Sequence, residues 1–91
     1  MSSPVEKALE NIVAIERIIV PIRSYGDAVL KDLAAIKELL KNPTRENLLQ
    51  ALEKLKAVEN IINQYGGYEP AEKAIQHINV LKKMAKRYGL S

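Results

Sequence analysis

The amino-acid sequence predicts an all-α fold, a small up-and-down bundle of four helical segments that forms one domain over residues 1–91. Apolar residues recur at helical spacing in four stretches, proline and glycine separate the stretches, and the connections between them are short. Short connections favour antiparallel neighbours, which pack in bundles at about 20°. Apolar residues form 47% of the chain, which is enough for one core at this length.

The four stretches share one phrase of apolar positions, at i, i+3, i+5, i+6, i+9 and i+10, starting at Leu9, Leu30, Leu52 and Ile75. Residues three and four apart share a helix face, so each copy describes one apolar face. Duplication of one helix and convergent patterning both account for the repeat. The predicted core is Ile12, Ile15, Ile19, Leu33, Ile36, Leu40, Leu48, Leu52, Leu55, Ile62, Ile78 and Leu81.

The first segment is predicted over residues 4–22. It begins with a capping box, in which Ser3 is followed three residues later by Glu6 and Pro4 takes the first helical position.

The second segment is predicted over residues 25–41, after an interruption by Pro21 and Gly26. The apolar heptad positions stay in phase through this interruption, so a single helix over 4–41, kinked at Pro21, is the alternative. A turn is the favoured interpretation, because proline and glycine are both costly inside a helix.

The third segment is predicted over residues 43–65. Asn42 precedes Pro43 and therefore ends the second helix, and its side chain is expected to cap the third. Gly66 and Gly67 supply the left-handed backbone that closes the third helix.

The fourth segment is predicted over residues 70–88, opened by Pro70 and ended by Gly89. It carries the positive charge of the chain. Residues 1–72 contain nine basic and eleven acidic side chains, whereas residues 73–91 contain five basic and no acidic ones.

Residues suited to catalysis or metal binding are scarce. The chain has no cysteine, which excludes disulfides, thiolate metal sites and a cysteine nucleophile. A di-metal centre in a four-helix bundle needs two Glu-x-x-His pairs, whereas the one histidine, His77, follows Ala74 at that spacing. His77 is predicted to be structural, on the surface or half-buried. We expect no enzyme activity, no cofactor and no metal.

The sequence also indicates where the protein works. Its N-terminus lacks the apolar region of a secretory signal, and the longest apolar run, residues 18–22, is far shorter than the roughly 20 residues that span a membrane. We expect a soluble, cytoplasmic protein without membrane contact.

The first candidate binding surface is the first helix, which has only Glu16 and Arg17 as polar residues between Ile12 and Ile22. Every helix of a four-helix bundle keeps an outer face in water, so this narrow polar arc predicts a covered surface. Val13, Ile18 and Val20 are the predicted protein-interface residues. In the alternative, Pro21 rotates the chain and brings the extra apolar side chains into the core.

Two tyrosines extend this prediction. Tyr65 and Tyr68 flank the paired glycines, and tyrosine is common at interfaces because it joins an apolar ring to a polar tip. Packing over the end of the core is the alternative use of both rings.

The second candidate surface is the basic cluster Lys82, Lys83, Lys86 and Arg87. These side chains could contact phosphates with weak, salt-sensitive and sequence-independent affinity. Basic residues in a last turn also stabilise the helix dipole, which is the competing explanation.

These observations predict a non-enzymatic protein-interaction module, a small helical accessory subunit or adaptor for a larger protein, with a nucleic-acid-processing complex as its setting. A protein that binds nucleic acid directly through the fourth helix is the first alternative. A self-assembling structural protein is the second. No small-molecule substrate is evident from the sequence.

Overall fold

The described residues of the computed structural model, 3–22, 26–64 and 67–90, form four α-helices and confirm the all-α prediction. The helices are α1 (Pro4–Ile19), α2 (Gly26–Lys41), α3 (Arg45–Asn63) and α4 (Glu69–Arg87). Each helix contacts the next, and α4 returns to contact α1, so the four surround one core. The closest pairs are α2 with α3 and α1 with α4.

The boundary between α1 and α2 settles the choice between a turn and a kinked helix. The Val20 N–H makes the last helical hydrogen bond of α1, and the Ile22 N–H then donates to the Ile19 carbonyl at 2.8 Å in a tight turn. Pro21 has no N–H with which to continue the helix. The alternative of one kinked helix over residues 4–41 is therefore wrong, and the predicted end of α1 lay three residues too far along the chain.

The helix starts show how side chains satisfy the first free N–H groups. The Glu6 N–H donates to Ser3 Oγ at 3.1 Å, as the capping box predicts. At α3 the Asn47 N–H donates to Thr44 Oγ1 at 3.1 Å, so Thr44 is the N-cap and the prediction of Asn42 was wrong. Asn42 lies too early for that role, and its carbonyl accepts a hydrogen bond from Asn47 Nδ2 at 2.8 Å.

The core contains every residue predicted for it except Leu48, which is half-buried. Sequence reasoning omitted six further buried residues, of which four are alanines. They are Val29, Ala51, Val58, Ala71, Ala74 and Ala85. Alanine contributes little apolar area, so its burial depends on how closely the neighbouring helices approach.

Burial differs between the two ends of the bundle. At the closed end, where α1 and α3 finish and α2 and α4 begin, the large core side chains are no more than 1% exposed: Ile15, Ile19, Val29, Leu33, Val58, Ile62 and Ile78. At the open end, where α1 and α3 begin and α2 and α4 finish, Leu40 is 6%, Leu52 9% and Leu81 7% exposed. Packing is therefore complete at one end and incomplete at the other.

Candidate binding sites

An apolar well enters the bundle at the open end, between the four helices. Its volume is about 440 Å³. The first turns of α1 and α3 line it together with the last turns of α2 and α4, which is the arrangement expected of an up-and-down bundle. Its lining consists of Pro4, Val5, Ala8, Ile12, Ile36, Leu40, Pro43, Arg45, Leu48, Ala51, Leu52, Leu55, Leu81, Met84, Ala85, Tyr88 and Leu90.

Small side chains account for the space. Ala8, Ala51 and Ala85 face the well from three different helices, each within about two turns of the open end. A methyl group at each position leaves volume that a larger residue would fill. Leu48 borders the same space, which explains why it is only half-buried.

The rim of the well is built by the C-terminus of α4. Gly89 has a φ of +73°, and its N–H donates to the Lys86 carbonyl while the Leu90 N–H donates to the Ala85 carbonyl, which is a Schellman motif. This turn folds Leu90 back against the core. It also directs the Gly89 carbonyl toward Arg45, whose Nη2 donates to it at 3.4 Å.

Arg45 is the one charged side chain among the described residues that line the well. It occupies the first position of α3 and is exposed. Within the described ranges no carboxylate lies at salt-bridge distance from its guanidinium. Among the described residues, its guanidinium makes one hydrogen bond, to the Gly89 carbonyl.

The closed end carries two exposed apolar side chains that sequence analysis had placed in the interface. Val20, directly after α1, is 62% exposed, and Tyr68, directly before α4, is 47% exposed. Because α1 and α4 are antiparallel and closely packed, both residues lie at the same end of neighbouring helices. Tyr65 lies outside the described residues.

The other two predicted interface residues lie elsewhere. Ile18 is half-buried and packs against the core. Val13 is half-buried beside a shallow hollow on the outer side of α1, where Leu9 and Ala14 contribute apolar surface and Glu6, Glu10 and Arg17 contribute charges. The predicted set therefore does not form one continuous patch.

The basic cluster is divided by an ion pair. Lys82 Nζ contacts both carboxylate oxygens of Glu59 on α3, at 2.9 and 3.2 Å. Lys83, Lys86 and Arg87 are exposed, and none of them forms an ion pair in the part of the chain that the structure describes. Three cations of the predicted four are thus available to an outside anion.

His77 links two helices. The Nδ2 of Asn11 donates to the Lys7 carbonyl at 2.9 Å, so its Oδ1 is the acceptor that faces His77 Nδ1 at 3.0 Å. With that oxygen as the acceptor, His77 Nδ1 carries a proton and donates to it from a half-buried ring. Among the described residues no three His, Asp or Glu side chains are grouped so as to hold a metal ion.

Sequence reasoning missed the well and Arg45. The sequence contained one indication of the well: the small residue Ala8 occupies an inward heptad position near the predicted start of α1. The coincidence of three alanines at one end depends on the register between helices, which the pattern within each helix does not contain.

Comparisons with known proteins gave no match, whether against family models, curated proteins or solved structures. In the described ranges no helix combines the length and the apolar character that crossing a membrane requires.

Proposed function

We infer that this chain is a non-enzymatic protein-interaction module, a small accessory subunit or adaptor that binds a larger protein. The observation that supports it is the exposure of Val20 and Tyr68 at the closed end of α1 and α4. The core beneath them is already fully packed, so these side chains add nothing to its interior. Tyrosine is among the residues that most often contribute strongly to binding at protein interfaces.

The size of the protein constrains such an interface. A stable complex buries about 800 Å² on each partner, and the accessible surface here is 5849 Å². Two side chains at one end cannot supply that area. The contact would extend along the outer side of α1, where Val13 and Leu9 offer half-buried apolar surface. We propose that this function is carried out in the cytoplasm.

Paired variants test the interface. The double variant Val20→Asp, Tyr68→Asp puts charge on the closed end, and the control Leu49→Asp, Val80→Asp puts the same charge on outer faces of α3 and α4 that are 39% exposed. Each tagged variant would be purified from the native host beside the unmodified protein. Thermal unfolding of each purified chain would establish that both doubles remain folded.

The expected result is one larger protein, recovered in near-equal amount with the unmodified chain and the control and lost with the closed-end variant. Equal recovery with all three chains would contradict the proposed surface. A mass that rises with concentration, measured by light scattering on the chain alone, would instead favour self-assembly.

Direct nucleic-acid binding is the second candidate, supported by the exposed Lys83, Lys86 and Arg87 on α4. Each cation that contacts a phosphate adds about 0.9 to the log–log slope of affinity against salt for duplex DNA. Retention on DNA that is lost in Lys83→Glu, Lys86→Glu would support this function. Retention unchanged by both substitutions would contradict it.

A further inference from the structure

We propose that the well at the open end binds a free aliphatic carboxylate, with the alkyl chain inside the bundle and the carboxylate at Arg45. This site is separate from the closed-end protein surface, so the proposal goes beyond the function inferred above.

The volume and position of the well fit a small ligand. Small-molecule sites usually measure about 300 to 1,000 Å³ and lie, in helical bundles, between the helices. At about 440 Å³ the well falls within that range. Its floor is formed by core residues Ile12, Ile36 and Leu55, so a guest entering at the end of the bundle would extend along the axis.

The lining selects an apolar guest. Apart from Arg45 and the hydroxyl of Tyr88, the described lining side chains are aliphatic, proline or methionine. A polar body placed there would lose its hydrogen bonds to water without gaining others. A linear hydrocarbon loses none, and it gains contact with every helix of the bundle.

Arg45 selects the head group. Its guanidinium is held at the rim by one long hydrogen bond to the Gly89 carbonyl, and its other donors remain unused among the described residues. A planar guanidinium binds a carboxylate through two parallel hydrogen bonds, which an alcohol cannot reproduce and an ammonium would oppose. A carboxylate on an alkyl chain therefore matches both parts of the site, the apolar well and the Arg45 guanidinium.

The experiment compares three probes that share one chain length: decanoate, decanol and decyltrimethylammonium, each below its micellar concentration. Binding to the full chain would be followed by the methyl NMR signals of the alanines. Decanoate is expected to shift Ala8, Ala51 and Ala85 at the open end and to leave Ala71 and Ala74 unchanged. It should bind roughly tenfold more tightly than decanol, and decyltrimethylammonium more weakly than both.

Two variants separate the parts of the site. Ala51→Leu places a branched side chain in the well and should weaken the binding of all three probes at least tenfold, while circular dichroism confirms that the helices remain. Arg45→Gln should weaken the binding of decanoate roughly tenfold and leave the affinity for decanol unchanged. The matched control is Arg87→Gln, at an exposed arginine that does not line the well, and it should change neither affinity.

Several outcomes would overturn the proposal. Decanoate that fails to bind up to about 1 mM, or binds the Ala51→Leu protein equally well, would exclude the well. Equal effects of Arg45→Gln and Arg87→Gln would exclude the head-group contact. Co-sedimentation with phosphatidylglycerol vesicles that Ala51→Leu abolishes would replace the free acid by a membrane lipid. A dimer of the unmodified chain that decanoate dissociates would assign the well to a second copy.

Discussion

The two ends of the bundle are built from the same four helices and differ in what fills them. At the closed end isoleucine and valine from α1, α2 and α3 interlock, and α4 supplies Ala71 and Ala74 where its neighbours approach. At the open end alanines from α1, α3 and α4 meet around one space, and the leucines beside it remain partly accessible. Four helices that each bury an apolar face can therefore give one solid end and one hollow end.

The sizes of the side chains that meet between the helices decide where a bundle is open. A larger residue such as isoleucine fills the space beside a buried alanine, whereas alanines from three helices that line the same space leave it open. The core residues of the closed end stay buried, so the well forms without loss of the fold.

The largest expected effect comes from truncating a core leucine at each end. Leu33→Ala at the closed end removes a fully buried side chain and should lower the free energy of unfolding by about 4 kcal/mol. Leu40→Ala, beside the well, should cost about 2 kcal/mol, because that side chain already lacks some packing partners. Urea unfolding of both variants measures the difference, and equal costs would contradict the distinction between the ends.

Enlarging an alanine should act in opposite directions at the two ends. Ala74→Leu has no space to occupy at the closed end and should destabilise the protein by about 2 kcal/mol or more. The larger side chain of Ala51→Leu extends into the well and should stabilise the protein by about 1 kcal/mol. Thermal and urea unfolding report the sign directly, and a destabilised Ala51→Leu protein would show that no usable space exists there.

The smallest expected effects are the coupling energies of two side-chain contacts. One contact joins the closely packed helices α1 and α4, and the other joins the less closely packed helices α3 and α4. A double-mutant cycle between Asn11 and His77 should give a coupling of about 1 kcal/mol, because that contact is partly buried. A cycle between Glu59 and Lys82 should give about 0.5 kcal/mol or less, since the lysine is 44% exposed. A larger coupling for the ion pair would reverse this ranking.

The sequence was sufficient for the number and order of the helices, because proline, glycine and capping residues act locally. Pro21 ended α1 and Gly89 ended α4, and both effects need only the residues around them. Thr44 was missed as the cap of α3 because both Asn42 and Thr44 carry a suitable oxygen. Only the backbone around Pro43 decides which of them reaches the N–H of Asn47.

The candidate sites depended on packing between helices and were less accessible to sequence reasoning. The apolar excess in α1 predicted one interface, yet Ile18 faces the core while Val20 faces solvent. Positions two residues apart lie about 200° apart around a helix, so Ile18 and Val20 could not share one face, and the prediction had grouped them by apolar character alone. The contact of Arg45 with Gly89 joins residues 44 positions apart, which no local pattern contains.

The most direct test of the hollow end is NMR of the alanine methyl groups under xenon, an apolar atom that enters empty apolar cavities. An open well at this end predicts saturable shifts for Ala8, Ala51 and Ala85 and unchanged signals for Ala71 and Ala74. Shifts that are absent, or equal at both ends of the bundle, would contradict it.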